Sequence, residues 1–412
     1  MATIDVPLKH PELVGARVAG FCEPAWRPVL DAFIENFEGG EELGASLAIE
    51  RHGRCVVDVW GGFADGAART PWRHDSIGVV FSNTKPATAL CMHRLVDAGA
   101  IDIDRPVADY WPAFATAGKG GITVRMLLDH SAGLPALRER LPDGAAFDWE
   151  AMTDRLAREM PFWEPGTRVG YHGLTFGWLV GEVVRRVGGE SLGRFFRREI
   201  GEPLGLDFWI GLPESEEPRV APIVPPPAAA QPRNAFERAI AHEPDSVSAL
   251  YFRNTGGWRP SGFNSRRGHA AEIGAAGGIA NGRALARLYG TLATSGARDG
   301  YQLLRPGTLR RATAVSSATH VDVCLRVPTR FGAGFMRQMD NRARGLDSAA
   351  FGDDAFGHVG AGGSLGFASP RDGIGFGYTM NRMGPGVLLN ERADRLLHAL
   401  QRVLRDDEPG GV

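Results

Sequence analysis

Strand-like runs stand near both ends of this chain, and a long helical stretch separates them. Ala45-Ser46-Leu47-Ala48-Ile49 faces Cys55-Val56-Val57-Asp58-Val59-Trp60 across a turn at His52-Gly53, the pattern of an antiparallel hairpin. Comparable runs return only at Phe331–Met336, Phe356–Ser364, Leu365–Ala368 and Gly373–Asn381. Strands split in this way predict one antiparallel sheet with helices inserted between its parts, an α+β layout. Amphipathic helices frame it. Val29, Leu30, Phe33, Ile34 and Phe37 recur at helical spacing within Trp26–Phe37, and Ala393, Leu396, Leu397, Leu400, Val403 and Leu404 form one apolar stripe near the end.

The length of 412 residues allows a large core and two lobes. The sheet lobe is expected to draw on 1–85 and 286–412, and a mostly helical lobe on 86–285. Between them falls Leu204–Asn234, rich in glycine and proline, with Val224-Pro225-Pro226-Pro227 near its centre. This stretch reads as irregular rather than helix or strand, and its part 220–234 as a surface loop edging a cleft.

A net charge of −2 and the lack of a basic run argue against a nucleic-acid partner. No stretch is long and apolar enough to cross a bilayer, and Met1–Asp5 shows no secretory pattern. The expectation is a cytoplasmic protein without membrane contact. Cys22, Cys55, Cys91 and Cys324 are scattered, which suggests neither a zinc site nor a disulfide framework.

The chemistry concentrates at Val79-Val80-Phe81-Ser82-Asn83-Thr84-Lys85. Ser82 stands near a helix start, where a hydroxyl commonly caps backbone N–H groups. Pro86 suits a first helical turn, whose N–H groups have no intrahelical partner. At i and i+3, Ser82 and Lys85 share one helix face. A serine becomes a competent nucleophile when a neighbouring base takes its proton, and a buried lysine can be that base. The chain contains only Lys9, Lys85 and Lys119 among its 46 basic residues. Arginine cannot give up its proton and lysine can, so a lysine here suggests a titratable amine. The spacing is equally that of an N-cap serine followed by a surface lysine.

Tyr171 lies in Gly170-Tyr171-His172-Gly173, just before a helix expected over Leu174–Val187. A phenol held on such a loop can shuttle a proton, or it can simply be buried. Asp129-His130-Ser131 resembles a triad on paper, but adjacent residues cannot converge as nucleophile, base and orienter. It reads as the end of a short helix and a turn.

Ser82-x-x-Lys85, Tyr171, His358-Val359-Gly360 and the stretch Leu127–Leu134, in this order, resemble the serine hydrolases related to class C β-lactamases and DD-peptidases. Family VIII carboxylesterases are the most similar type, and the resemblance spans roughly Leu47 to Asn381. It implies a β-lactamase-like fold with the active site between the two lobes. It also implies that Ser82 is acylated, that Lys85 is its base and that Tyr171 relays the proton. The backbone N–H groups of Ser82 and Ala361 would hold the oxyanion. His358 and Gly360 would line the substrate cleft, where the glycines around Ala361 let an acyl group come close.

Two departures bear on substrate. Members that hydrolyse β-lactams carry Tyr-x-Asn and Lys-Thr-Gly where this chain has Tyr171-His172-Gly173 and His358-Val359-Gly360. An amide and a permanent cation are missing, which favours uncharged esters. Gly362-Gly363-Ser364-Leu365-Gly366 matches the nucleophile-elbow pattern, yet its flanks read as strand and turn rather than strand-turn-helix, so Ser364 is a decoy. The expected activity is hydrolysis of short-chain carboxylic esters with no metal or organic cofactor. Acyl transfer, amide hydrolysis and weak β-lactamase activity use the same residues. A catalytically silent binding protein would keep the fold alone.

Overall fold

The computed structural model describes residues 3–227 and 231–406. Among the described residues, eleven strands form one antiparallel sheet. At its centre Ile374–Met380 pairs with Gly44–Arg51 on one side and Leu365–Ser369 on the other. The two halves of the sequence therefore meet in the middle of the sheet. The hairpin turns at His52-Gly53 as expected, with His52 at φ +48° and Gly53 at φ +77°, and a bulge between Ile49 and Glu50 sets Ile49 opposite Val57. Thr3–Pro7 and Arg17–Cys22 extend the sheet at its N-terminal edge. Sequence patterning did not single them out, because their alternation is weak and largely exposed.

Strand periodicity decides which helix covers which face. Leu47, Ile49, Phe376 and Tyr378 point to one side and share a core with the Arg27–Glu38 and Glu391–Asp406 helices. Gly375 and Gly377 point to the other. A Cβ on Gly375 would stand 2.1 Å from Gly290 N, and one on Gly377 would stand 2.1 Å from Gly282 O. Bare backbone there lets the Gly282–Ala293 helix lie directly on the sheet.

Two expectations are corrected. Phe331–Met336 is not one strand: Thr329–Phe331 turns through Gly334 (φ +93°) into Met336–Arg337. A Cβ on Gly334 would meet the Ala89 Cβ at 2.1 Å, so the turn is where this hairpin packs onto the Thr84–Asp97 helix. Nor is Leu204–Asn234 wholly irregular. Phe208–Ile210 joins Gly78–Val79 and Gly278–Ala280 in a second, three-stranded sheet. Val220 bridges Ile77, and Val224 bridges Arg382, which pins this stretch to the body of the protein. Residues 228–230 of the proline-rich loop lie outside the described residues.

No helix among the described residues is long and apolar enough to cross a membrane.

Candidate active site

The short strand Gly78–Val79 delivers the chain to Ser82. Val80 N donates to Gly278 O at 2.9 Å. Phe81 then adopts φ +47°, a left-handed conformation that costs a bulky residue energy unless its surroundings enforce it. Its ring meets Phe263 edge-on at 5.3 Å, and its carbonyl accepts from Thr84 Oγ1 at 2.5 Å. A one-turn 3-10 segment, Phe81–Asn83, leads into the Thr84–Asp97 helix. Ser82 makes no capping bond there, contrary to the simplest reading of a serine at a helix start. Its hydroxyl faces the lysine instead.

Lys85 Nζ stands 3.2 Å from Ser82 Oγ. It also lies 2.7 Å from Gly173 O and 3.0 Å from Ala275 O. The side chain is 1 % exposed, and burial holds its amine well below the usual lysine range. A neutral amine has two hydrogens and one lone pair. The two carbonyls take the hydrogens, which leaves the lone pair for the Ser82 O–H.

Lys119 forms a contrast. Its equally buried Nζ donates to three carbonyls, those of Thr116, Ala157 and Glu159, at 2.9, 2.9 and 2.7 Å. All three ammonium hydrogens are used, and the neighbouring Thr116 hydroxyl gives its own hydrogen to Ala157 O at 2.6 Å. Lys119 is a structural cation.

Tyr171 comes from a distant loop, and its phenol lies near enough to Ser82 for the serine to oppose part of the effect of burial on it. Burial raises its pKa above the ordinary phenol value, so it is protonated at neutral pH. The Lys85 amine sits 4.7 Å from the centroid of its ring. Asp322, a buried residue that sequence reading passed over, fixes the loop. Its carboxylate accepts from Tyr171 N at 3.1 Å, Cys324 N at 2.8 Å, Leu325 N at 2.9 Å and Thr329 Oγ1 at 3.1 Å. A cradle of backbone donors leaves no periodicity in sequence, so nothing there signalled it.

His130 and His172 complete the support. His172 Nδ1 donates to Gly170 O at 2.7 Å, and its Nε2 accepts from Leu134 N at 2.9 Å. His130 Nδ1 accepts from His172 N at 3.1 Å, and its ring lies 5.0 Å from that of Tyr171. Asp129 accepts from Ser131 and Ser316 rather than from His130. The three adjacent residues form a turn, as expected.

His358 sits on the strand Phe356–Val359. Its Nδ1 donates to Val359 O at 2.7 Å, which leaves Nε2 as an acceptor 3.5 Å from the Tyr171 hydroxyl. Burial and the neighbouring Lys85 bring its pKa down to about 3, so it adds no positive charge at neutral pH. After this strand the Ala361 N–H has no acceptor among the described residues, and neither has that of Ser82.

The reason given above for the glycines is corrected at Gly360. A Cβ there would meet Ser364 Oγ at 2.0 Å and Val80 O at 2.4 Å. The missing side chain makes room for the protein's own backbone, not for a substrate. Ser364 is committed as well. Its hydroxyl donates to Val80 O at 2.9 Å and accepts from Asn83 Nδ2 at 3.1 Å, in a residue 1 % exposed. Among the described residues, no group of three or more His, Cys, Asp or Glu side chains is arranged to hold a metal ion.

Comparison with known proteins identifies the family. The family model described as Beta-lactamase matches residues 30–401. The chain is 38 % identical over 391 residues to the Esterase/beta-lactamase LipL of Mycobacterium tuberculosis, covering 92 % of this chain and 86 % of that protein. Among solved structures, a penicillin-binding protein homolog from Caulobacter crescentus superposes with a TM-score of 0.85 at 38 % identity, covering 94 % of this chain and 99 % of that one. A family VIII carboxylesterase superposes with a TM-score of 0.80, at the same identity and coverage.

Proposed function

The chain belongs to the beta-lactamase family of serine hydrolases, and from that premise we propose that it hydrolyses short-chain carboxylic esters through an acyl-enzyme on Ser82. The observation that carries this reading is the placement of Lys85 Nζ 3.2 Å from Ser82 Oγ, with the Gly173 and Ala275 carbonyls positioned to take the two hydrogens of a neutral amine.

In the first step Lys85 takes the Ser82 proton as Oγ attacks the ester carbonyl. The carbonyl oxygen becomes an oxyanion between the N–H groups of Ser82 and Ala361, where fixed amide donors contribute about 3–4 kcal/mol to the transition state. Collapse expels the alcohol, which takes a proton from the Tyr171 phenol. The Lys85 ammonium then returns that proton to the Tyr171 phenolate, whose ring centroid lies 4.7 Å from it. Water then enters, loses a proton to the same base and releases the acid, leaving Ser82 and Lys85 as they began.

Uncharged esters fit the site better than anionic β-lactams. His358 is neutral, with a pKa of about 3, so a substrate carboxylate would find no permanent cation on that strand. Gly173 offers no side-chain amide. One observation favours β-lactams as a second substrate, the double name of the relative LipL.

The test is hydrolysis of p-nitrophenyl butyrate by wild type and Ser82→Ala, beside nitrocefin. Turnover of the ester that the substitution removes supports the reading. Ester turnover that survives Ser82→Ala, or a wild type that opens nitrocefin but no ester, rejects it.

A further inference from the structure

Gly173 does more than present a carbonyl to Lys85. A Cβ built on it would lie 1.8 Å from Tyr251 Cε2 and 2.7 Å from its Cζ. The Tyr251 ring thus occupies the space that a side chain at 173 would take, 6.2 Å from the ring of Tyr171. Tyr251 belongs to the Val247–Arg253 helix, in the helical lobe just after the proline-rich stretch. That helix is anchored: Ser248 Oγ donates to Cys324 O at 2.7 Å and accepts from Arg326 Nε at 3.0 Å. The same Cys324 segment donates to Asp322, which fixes Tyr171. Tyr251 is therefore held in a fixed relation to the catalytic tyrosine.

Beyond Gly173 lies a pocket lined by Leu141, Met152, Trp178 and Leu250 beside the polar Asn254 and Thr255, with Tyr251 as one wall. Leu174 and Thr175, the next residues after Gly173, line it as well. The free space is about 10 Å³, roughly the room one water requires. With Tyr251 in place, the pocket cannot take an alkyl chain.

The geometry points to Tyr251 as the residue that sets acyl-chain length. Its ring walls the catalytic crevice off from the pocket behind it and confines the acyl group to a few carbons. The inference rests on the ester reading above and deepens it. Cutting Tyr251 back to alanine joins the space of its ring to the pocket, and further methylenes gain burial there.

The experiment compares kcat/KM for p-nitrophenyl decanoate and p-nitrophenyl butyrate, keeping the alcohol constant. Tyr251→Ala raises the decanoate-to-butyrate ratio about tenfold or more, whereas Tyr251→Phe, which keeps the ring, leaves it at the wild-type value. Tyr251→Leu retains an apolar helix former and gives an intermediate rise, so the test survives an unstable alanine variant. Gly173→Ala lowers turnover in the native background and is tolerated beside Tyr251→Ala, because the three atoms nearest the added methyl all belong to Tyr251. A folded Tyr251→Ala or Tyr251→Leu enzyme with an unchanged ratio overturns the inference while leaving the ester reading intact. A wild type that cleaves neither ester overturns both.

Discussion

Ser364 Oγ donates to the Val80 carbonyl across 2.9 Å, tying the turn after the His358 strand to the peptide that precedes Phe81 and Ser82. The serine that imitates a nucleophile elbow is thus a latch on the loop that carries the candidate nucleophile. Its hydroxyl is shared between Val80 and Asn83. Ser364→Ala should keep ester turnover and lower stability by about 1–3 kcal/mol, the cost of leaving buried polar groups unpaired. Urea denaturation beside a p-nitrophenyl butyrate assay reads both. Complete loss of turnover in a stably folded variant would contradict the assignment.

The strand side of this latch is more sensitive. Gly360→Ala would drive a methyl against Ser364 Oγ and Val80 O. Overpacking of this kind costs about 1–3 kcal/mol, and here the displaced atom is backbone one peptide from Phe81. Both the melting temperature and kcat should fall. Adding Ser364→Ala should recover only part of the loss, since the clash with Val80 O remains.

Lys85 sets the pH dependence. Its folded pKa lies below the ordinary value, and the neutral amine is the active form. kcat/KM should therefore rise with pH through the lysine's depressed pKa and then level off. The Tyr171 phenol, displaced upward, gives no alkaline limb within the ordinary working range. His172 and His358, both with a pKa of about 3, contribute no inflection near pH 6.5. Lys85→Arg should cost about 10²–10⁴-fold in kcat, because a guanidinium keeps its proton. An inflection near pH 6.5 that His358→Asn abolishes would contradict this account.

Asp322 offers two oxygens to several donors and no hydrogen of its own. Asp322→Asn has the same shape but turns one acceptor into a donor facing N–H groups. Stability should fall by about 1–3 kcal/mol. The change in kcat should exceed that in KM, because Tyr171 moves while the rest of the crevice stays. A stability curve and a kinetic profile matching wild type would refute the positioning role.

Much of this site is legible in sequence, because its reacting groups obey local rules. Three-residue spacing puts Lys85 beside Ser82, and glycines frame the loop that presents Tyr171. The sheet is legible where alternation is strong, as at Leu47, Ile49, Phe376 and Tyr378. Asp322, the Gly173 and Ala275 carbonyls and the Tyr251 ring are not legible. Each acts through backbone donors, backbone acceptors or excluded volume brought together only by tertiary packing. Gly360 shows the same limit from the other side: the sequence displays a glycine, and only the fold reveals whose atoms need the room.

The most direct test is peptide mass spectrometry after labelling with a fluorophosphonate, which reacts with an activated serine whatever the natural ester. The account predicts a single adduct on Ser82, reduced to background in Lys85→Arg. An adduct on Ser364, or a folded protein that takes up no label, would contradict it.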